Sequence, residues 1–305
     1  MKRQARVLDS LGRDVILARA PARIVSLVPS DTYSLVQLGA GERLVGRTRY
    51  CVEPASVVER IPVMGGTKNA DVDAIIEAFP DLVLANREEN TKKDLERIAQ
   101  AGIAVYVSFP KRVADGLAHL GRLVRMLDIA DDGKVKATLK GHYESLRAAE
   151  VESGRLARVP TFFPIWMDPL MTIHGDTIIS DVLRLGGADN VFATRARRYP
   201  LAADLGQAAP MTPAEIEGRD TRYPRVSWDE LVERAPELVL LPDEPHDFTD
   251  ADAVRFRGLD IPAARRPDNV AAVIKVDGKD FSWYGARALE GLARVRSIVE
   301  RFRAR

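Results

Sequence analysis

Four histidines, His119, His142, His174 and His246, are the side chains best suited to acid–base or metal chemistry, and their spacing argues against both. They form no HxH or HExxH arrangement and no cluster with carboxylates, so no metal site is expected. His119 and His142 fall in helical stretches, where packing or surface roles are expected. His174 in MTIHGDT and His246 in DEPHDF fall in loops. Ser30 follows a strand and opens a helix, but Pro29 and Asp31 flank it where a nucleophile elbow needs small residues. It reads as a helix cap whose neighbouring backbone N–H groups can receive a ligand oxygen. Gly39-Ala40-Gly41 follows a helix and reads as a C-cap and turn rather than a dinucleotide loop, and no phosphate-cradling GxxxxGK[ST] occurs. The chain thus offers no catalytic constellation, and it is expected not to be an enzyme.

It offers instead loops rich in groups that hold a large, partly polar ligand. Arg47, Arg49, Tyr50 and Glu53 follow one strand, and Thr67 and Lys68 follow Gly65-Gly66. Trp166 and Asp168 end a strand, Arg195 to Tyr199 form a basic loop, and Tyr223 and Trp283-Tyr284 supply aromatic faces. Aromatic planes combined with arginine forks suit a bulky chelate that carries carboxylate or phosphate oxygens. With Tyr33 and Ser30 from the first helix, the candidate ligand set is Ser30, Tyr33, Arg49, Glu53, Thr67, Lys68, Trp166, Asp168, Arg198, Tyr223, Trp283 and Tyr284.

The elements that must position these loops alternate. Short β-branched runs at Ile24 to Val28, Pro62 to Met64, Leu82 to Ala85 and Ile103 to Val107 are separated by segments of helical period, the pattern of βαβ units and a mainly parallel sheet. From Val113 two consecutive helices are implied, the second running from the Asp131-Asp132 cap to Ser153-Gly154, roughly 33 Å at the helical rise. Alternation then resumes, with strands at Pro160 to Trp166, Leu238 to Leu241 and Ala271 to Val276, and helices at Thr177 to Leu185, Trp228 to Ala235 and Ala286 to Arg303. The segment VDAIIEAFPDLVLA from Val72 aligns without gaps on WDELVERAPELVLL from Trp228, 156 residues later. The expected fold is α/β, two Rossmann-like lobes with mainly parallel sheets joined by one long backbone helix. The lobes are placed at 1–130 and 155–305, with the helix at 131–154. The carboxyl ends of both sheets, where open α/β folds bind ligands, could then border one cleft.

Composition sets outer bounds. The 305 residues carry 45 basic and 44 acidic side chains, so the whole molecule exerts no general attraction for nucleic acid. One cysteine, Cys51, permits no intramolecular disulfide. No apolar run approaches the roughly 20 residues of a membrane span, and charges interrupt the N-terminal stretch before a signal-peptide core forms. As given, the chain reads without an export signal. A monomer is expected.

RIVSLVPSDTYSLVQLGAGERLVGRTRYC, GGTKNADVDAIIEAFPDLVLAN, WMDPLMTIHGDTIISDVLRLGGADNVF, RYPRVSWDELVERAPELVLLP and VDGKDFSWYGAR occur in an order and spacing that resemble one family. It comprises the substrate-binding proteins of ABC importers for iron-siderophore, haem and vitamin B12, the helical-backbone metal receptors. The resemblance covers about Gly12 to the C-terminus. It implies non-covalent binding of a metal chelate, a corrinoid (cobalamin), haem or ferric siderophore, in the interlobe cleft, with delivery to the importer's membrane subunits and no covalent cofactor. It also implies that Asp73 and Asp229 dock to those subunits, where family members usually carry glutamate. Vitamin B12 binders have aromatic residues where this chain has Thr67 and Asn86. The family implies a periplasmic or cell-surface location. A cytoplasmic corrinoid or haem carrier or sensor, or an enzyme on the same scaffold, is the alternative.

Overall fold

In the computed structural model, which describes residues 4–265 and 272–303, two four-stranded parallel sheets share one strand order. In the first, Leu44–Arg47, Ile24–Ser26, Leu82–Asn86 and Ala104–Ser108 lie side by side. In the second the neighbours are Ala188–Asn190, Val159–Phe162, Leu238–Pro242 and Val273–Val276. Each sheet therefore runs second, first, third, fourth in chain order, with every pairing parallel. This is the doubly wound arrangement, in which the order reverses beside the first strand.

The chain divides into two compact units, Met1–Ser145 with Trp283–Leu289 and Leu146–Ser282 with Glu290–Arg305. The long helix Gly133–Ser153 carries the chain from one to the other, and the division falls inside it. Its start follows the sequence: the Asp132 carboxylate accepts from Lys134 N at 2.7 Å and from Val135 N at 3.1 Å. Among the described residues no helix is long and apolar enough to cross a membrane.

The internal repeat occupies equivalent places in the two sheets. Helices Val72–Glu77 and Trp228–Arg234 are capped by Asp71 and Ser227, whose side chains accept from Ala74 N and Glu230 N at 3.1 and 3.0 Å. Each helix leads through a left-handed residue, Phe79 at φ 45° and Ala235 at φ 46°, into a proline and then the third strand. The proline disfavours helix at the preceding residue and so ends the helix there. In each unit the next amide, Asp81 N or Glu237 N, donates at 2.8 Å to a carbonyl at the start of the first strand, Arg23 O or Pro160 O.

The cores follow from the buried strands. In the first unit Val25, Leu27, Ile75, Val83, Ile98 and Val105 interlock between the sheet and its helices. In the second unit the core is aromatic, with Phe162 packed on Phe192 and Phe256 at centroid separations of 5.5 and 6.0 Å.

Two expectations need correction. Pro160 to Trp166 is not one strand: Val159–Phe162 joins the parallel sheet and Pro164–Met167 turns away to pair antiparallel with Leu170–Thr172. Pro62 to Met64 contributes only an isolated bridge, Val63 to Arg47, because proline lacks the N–H a ladder needs. The amino-terminal hairpin Ala5–Leu8 with Asp14–Leu17 and the edge strand Ala188–Asn190 were not anticipated, being short and interrupted by charge. Ala271, at the start of the expected last strand, lies outside the described residues.

Gly285 shows why Trp283–Leu289 packs so closely in the first unit. Its φ is +72°, and a Cβ there would stand 2.6 Å from Ser34 Oγ, while a Cβ on Gly116 would stand 2.8 Å from Gly285 N. Gly285→Ala is expected to destabilise the protein by about 2–4 kcal/mol, combining left-handed strain with overpacking. Gly102→Ala, also at positive φ (+83°) but with nothing within 4 Å, should cost only about 1 kcal/mol. Urea unfolding of the two variants checks this; equal losses would remove the steric argument.

Candidate functional site

The carboxyl ends of the first unit's strands are polar: Ser26, Arg47, Asn86 and Ser108. Around them lies a buried network that no motif announced. Asp31, in the first turn of the helix Pro29–Gln37, is 0% exposed. His119 Nε2 stands 2.6 Å from its Oδ1, and the Tyr284 hydroxyl donates to its Oδ2 at 3.1 Å. Tyr284 also lies 2.7 Å from Ser108 Oγ, and Tyr106 lies 3.3 Å from His119 Nδ1. A carboxylate so deeply buried needs such partners, and the positive end of the helix adds to them. His119 is thus a packing residue with a fixed polar task. Ser30, expected as the helix cap, lies within the first turn at 2% exposure, and Val28 holds the cap position without a side-chain cap bond.

Two groups of candidate ligand residues assemble in this unit. Arg49 and Lys68 are exposed and Thr67 is half-buried, on loops that meet at Gly65-Gly66. Gly65 has φ +79°, and a Cβ there would come within 2.4 Å of Asn69 O and 2.7 Å of Asp71 N, so only glycine fits this turn. Arg49 N donates to Gly65 O at 2.9 Å, Asn90 donates to Thr67 O at 2.9 Å, and the Lys68 ammonium donates to Glu88 O. In the second group Arg287, which sequence reasoning missed, pairs with Glu53 at 3.1 Å and lies 5.8 Å from the Tyr33 ring. Tyr33 in turn makes an edge contact with Trp283 at 6.2 Å. Trp283 and Tyr284, expected as open aromatic faces, are 4% and 3% exposed. Arg47 is spent on the carbonyls of Val58, Thr48 and Cys51.

In the second unit the segments that follow two adjacent parallel strands converge. Trp166 follows Val159–Phe162, His246 follows Leu238–Pro242, and their rings meet at 5.1 Å. Trp166 is 45% exposed, and its indole N–H donates to Asp168 O at 3.1 Å, which holds the plane in place. Asp168 itself is exposed. The basic loop divides by role. All five Arg195 donors are engaged, with Glu230, Asp204, Ala196 O, Asp204 O and Arg225 O at 2.6–3.2 Å, so this residue builds the loop. Arg198 projects from it exposed, and Tyr223 lies under the Arg222 guanidinium at 5.4 Å. Arg197 N donates to Thr221 O at 2.7 Å, joining the Arg198 and Tyr223 loops. His174 Nδ1 accepts from Asp176 N at 3.0 Å. Among the described residues no three His, Cys, Asp or Glu side chains could together hold a metal ion.

A model of the family described as "Periplasmic binding protein" matches residues 24–257. The chain belongs to the periplasmic binding protein family. This is a family of solute receptors rather than enzymes. This periplasmic binding protein is 26% identical over 225 residues, 73% of its length and 70% of the relative's, to the vitamin B12-binding protein of Yersinia pestis strain Pestoides F. Its fold matches the crystal structure of the periplasmic vitamin B12 binding protein BtuF of Vibrio cholerae with a TM-score of 0.72 at 18% identity, over 94% of this chain and 99% of that one. It also matches the periplasmic heme-binding protein RhuT of Roseiflexus sp. RS-1 with a TM-score of 0.71 at 17% identity, over 91% and 97%.

The buried network is expected to make this periplasmic binding protein sensitive to alkali. Burial pushes the Tyr106 phenol up to about 12, and burial with the nearby Asp31 charge holds Tyr284 well above an ordinary phenol. An unfolded tyrosine ionises near 10, so from about pH 10 to 12 the unfolded chain sheds protons that the native state keeps. The contribution of these two tyrosines to stability is therefore complete below about pH 10 and falls as pH rises. Urea midpoints at successive pH values above 9 should decline, and Tyr106→Phe should make the decline shallower. A midpoint that stays level would contradict the assignment.

Proposed function

We propose that this periplasmic binding protein binds a metal chelate of the corrinoid, haem or ferric-siderophore class, non-covalently, and delivers it to an ABC importer. One observation carries the reading: a half-exposed tryptophan, Trp166, stands against His246 where the segments that follow two adjacent parallel strands meet, the place open α/β folds bind ligands. A large planar ring with a tethered N–H suits the apolar face of a macrocycle or aromatic chelator. Exposed cations, Arg198 in this unit and Arg49 and Lys68 in the first, suit carboxylate or phosphate oxygens. The names of the similar proteins, which mention vitamin B12 and heme, support the same ligand class.

Intrinsic fluorescence titrated with cyanocobalamin, cobinamide, haem and ferric siderophores, corrected for absorption, tests it. One ligand is expected to quench saturably, and Trp166→Ala should weaken that ligand by about 10- to 100-fold, the loss typical of a central aromatic anchor. Absence of saturable quenching across the panel, in folded protein, would overturn the reading.

Delivery is assigned to Asp73 and Asp229, exposed residues in the first turns of the two equivalent helices. Asp73 pairs with Arg97, an exposed contact worth little in water, so a stronger partner could displace it. Asp73→Arg with Asp229→Arg is expected to leave chelate affinity unchanged and to abolish uptake in cells; unchanged uptake would remove the docking role from both.

A further inference from the structure

A cavity of about 460 Å³ opens in the first unit beside the edge strand Ala104–Ser108, and none of the candidate chelate residues lines it. Its wall is apolar, formed by Leu11, Leu95 and Val107, and its rim is basic, formed by Arg13, Arg87 and Lys92. Leu11 belongs to the tip of the amino-terminal hairpin. That tip is fixed from two sides: Leu11 N donates to Asp9 Oδ1 and Ser10 N to Val107 O, both at 2.9 Å. The wall is therefore built before any ligand arrives, even though Leu11 is 47% exposed.

The three cations differ in what already engages them. Arg13 forks onto Asp9 at 2.9 and 2.6 Å, and Lys92 lies 3.6 Å from Glu96, which also lines the cavity. Arg87 has no carboxylate partner among the described residues. Its guanidinium lies over the Phe109 ring at 5.3 Å, which holds the plane while leaving the charge uncompensated. A planar donor fork standing at the mouth of an apolar cavity matches a ligand with one oxyanion on an apolar body. The volume falls within the roughly 300–1,000 Å³ of small-molecule sites.

We infer that this cavity is a second ligand site, for a small amphipathic anion with a single carboxylate or sulfonate on an apolar body. The test is amide NMR of the full, isotope-labelled chain with 1-naphthalenesulfonate, and with the neutral 1-naphthalenemethanol for comparison. The sulfonate is expected to shift Leu11, Arg87, Leu95 and Val107 saturably, and to bind about tenfold or more tightly than the alcohol. Arg87→Glu should weaken the sulfonate by a similar factor, and Lys92→Glu serves in its place if Arg87→Glu proves misfolded by circular dichroism. Shifts that never saturate or fall elsewhere, equal binding of the alcohol, or undiminished binding by the folded variant would overturn the inference.

Discussion

The first unit is organised around a buried carboxylate. Asp31 is 0% exposed, and a lone charge in that position would be unfavourable by several kcal/mol, so its neighbours have to be donors. They come from widely separated parts of the sequence: His119 from the helix Val113–Leu127, and Tyr284 from the segment Trp283–Leu289. Ser108 at the end of the edge strand and Tyr106 within it complete the network. Satisfying one charge thus brings two helices, a strand and the carboxy-terminal segment into register. The same demand explains the glycines at positions 116 and 285, which let that segment approach closely enough for the tyrosine to reach.

The two units repeat one plan and use it differently. Strand order, the capped helix, the left-handed residue before proline and the third strand all recur. The carboxyl edges diverge. In the first unit they end in serine, asparagine and arginine, whose side chains are largely spent on holding loops, as Asn90 also is. In the second they lead into an aromatic pair, Trp166 with His246, and a basic loop braced from within by Arg195. Of the arginines that look alike in sequence, some are therefore structural and some face solvent. The difference lies in how many of their five donors are claimed by acceptors within the fold.

Much of the fold was legible from local pattern. Alternating β-branched runs and helical periods determined two α/β units, the Asp132 cap determined where the long helix begins, and the repeat from Val72 and Trp228 determined that the units share a plan. These features depend on interactions a few residues apart, which is why sequence alone carries them. It also determined the aromatic and cationic character of the loops, including Trp166, Arg49, Lys68 and Arg198, and the absence of any motif for catalysis.

Only the tertiary structure decided which of those loop residues meet. Trp283 and Tyr284 are buried, because burial depends on what a distant segment packs against and not on residue type. Arg287 joins Glu53 across 234 positions, and His119 joins Asp31 across 88; no periodicity encodes such pairs. The short strands at Ala5, Asp14 and Ala188 and the turn that breaks Pro160 to Trp166 belong to the same class. A strand of three or four residues has too little local preference to declare itself, and only its neighbour's hydrogen bonds make it one.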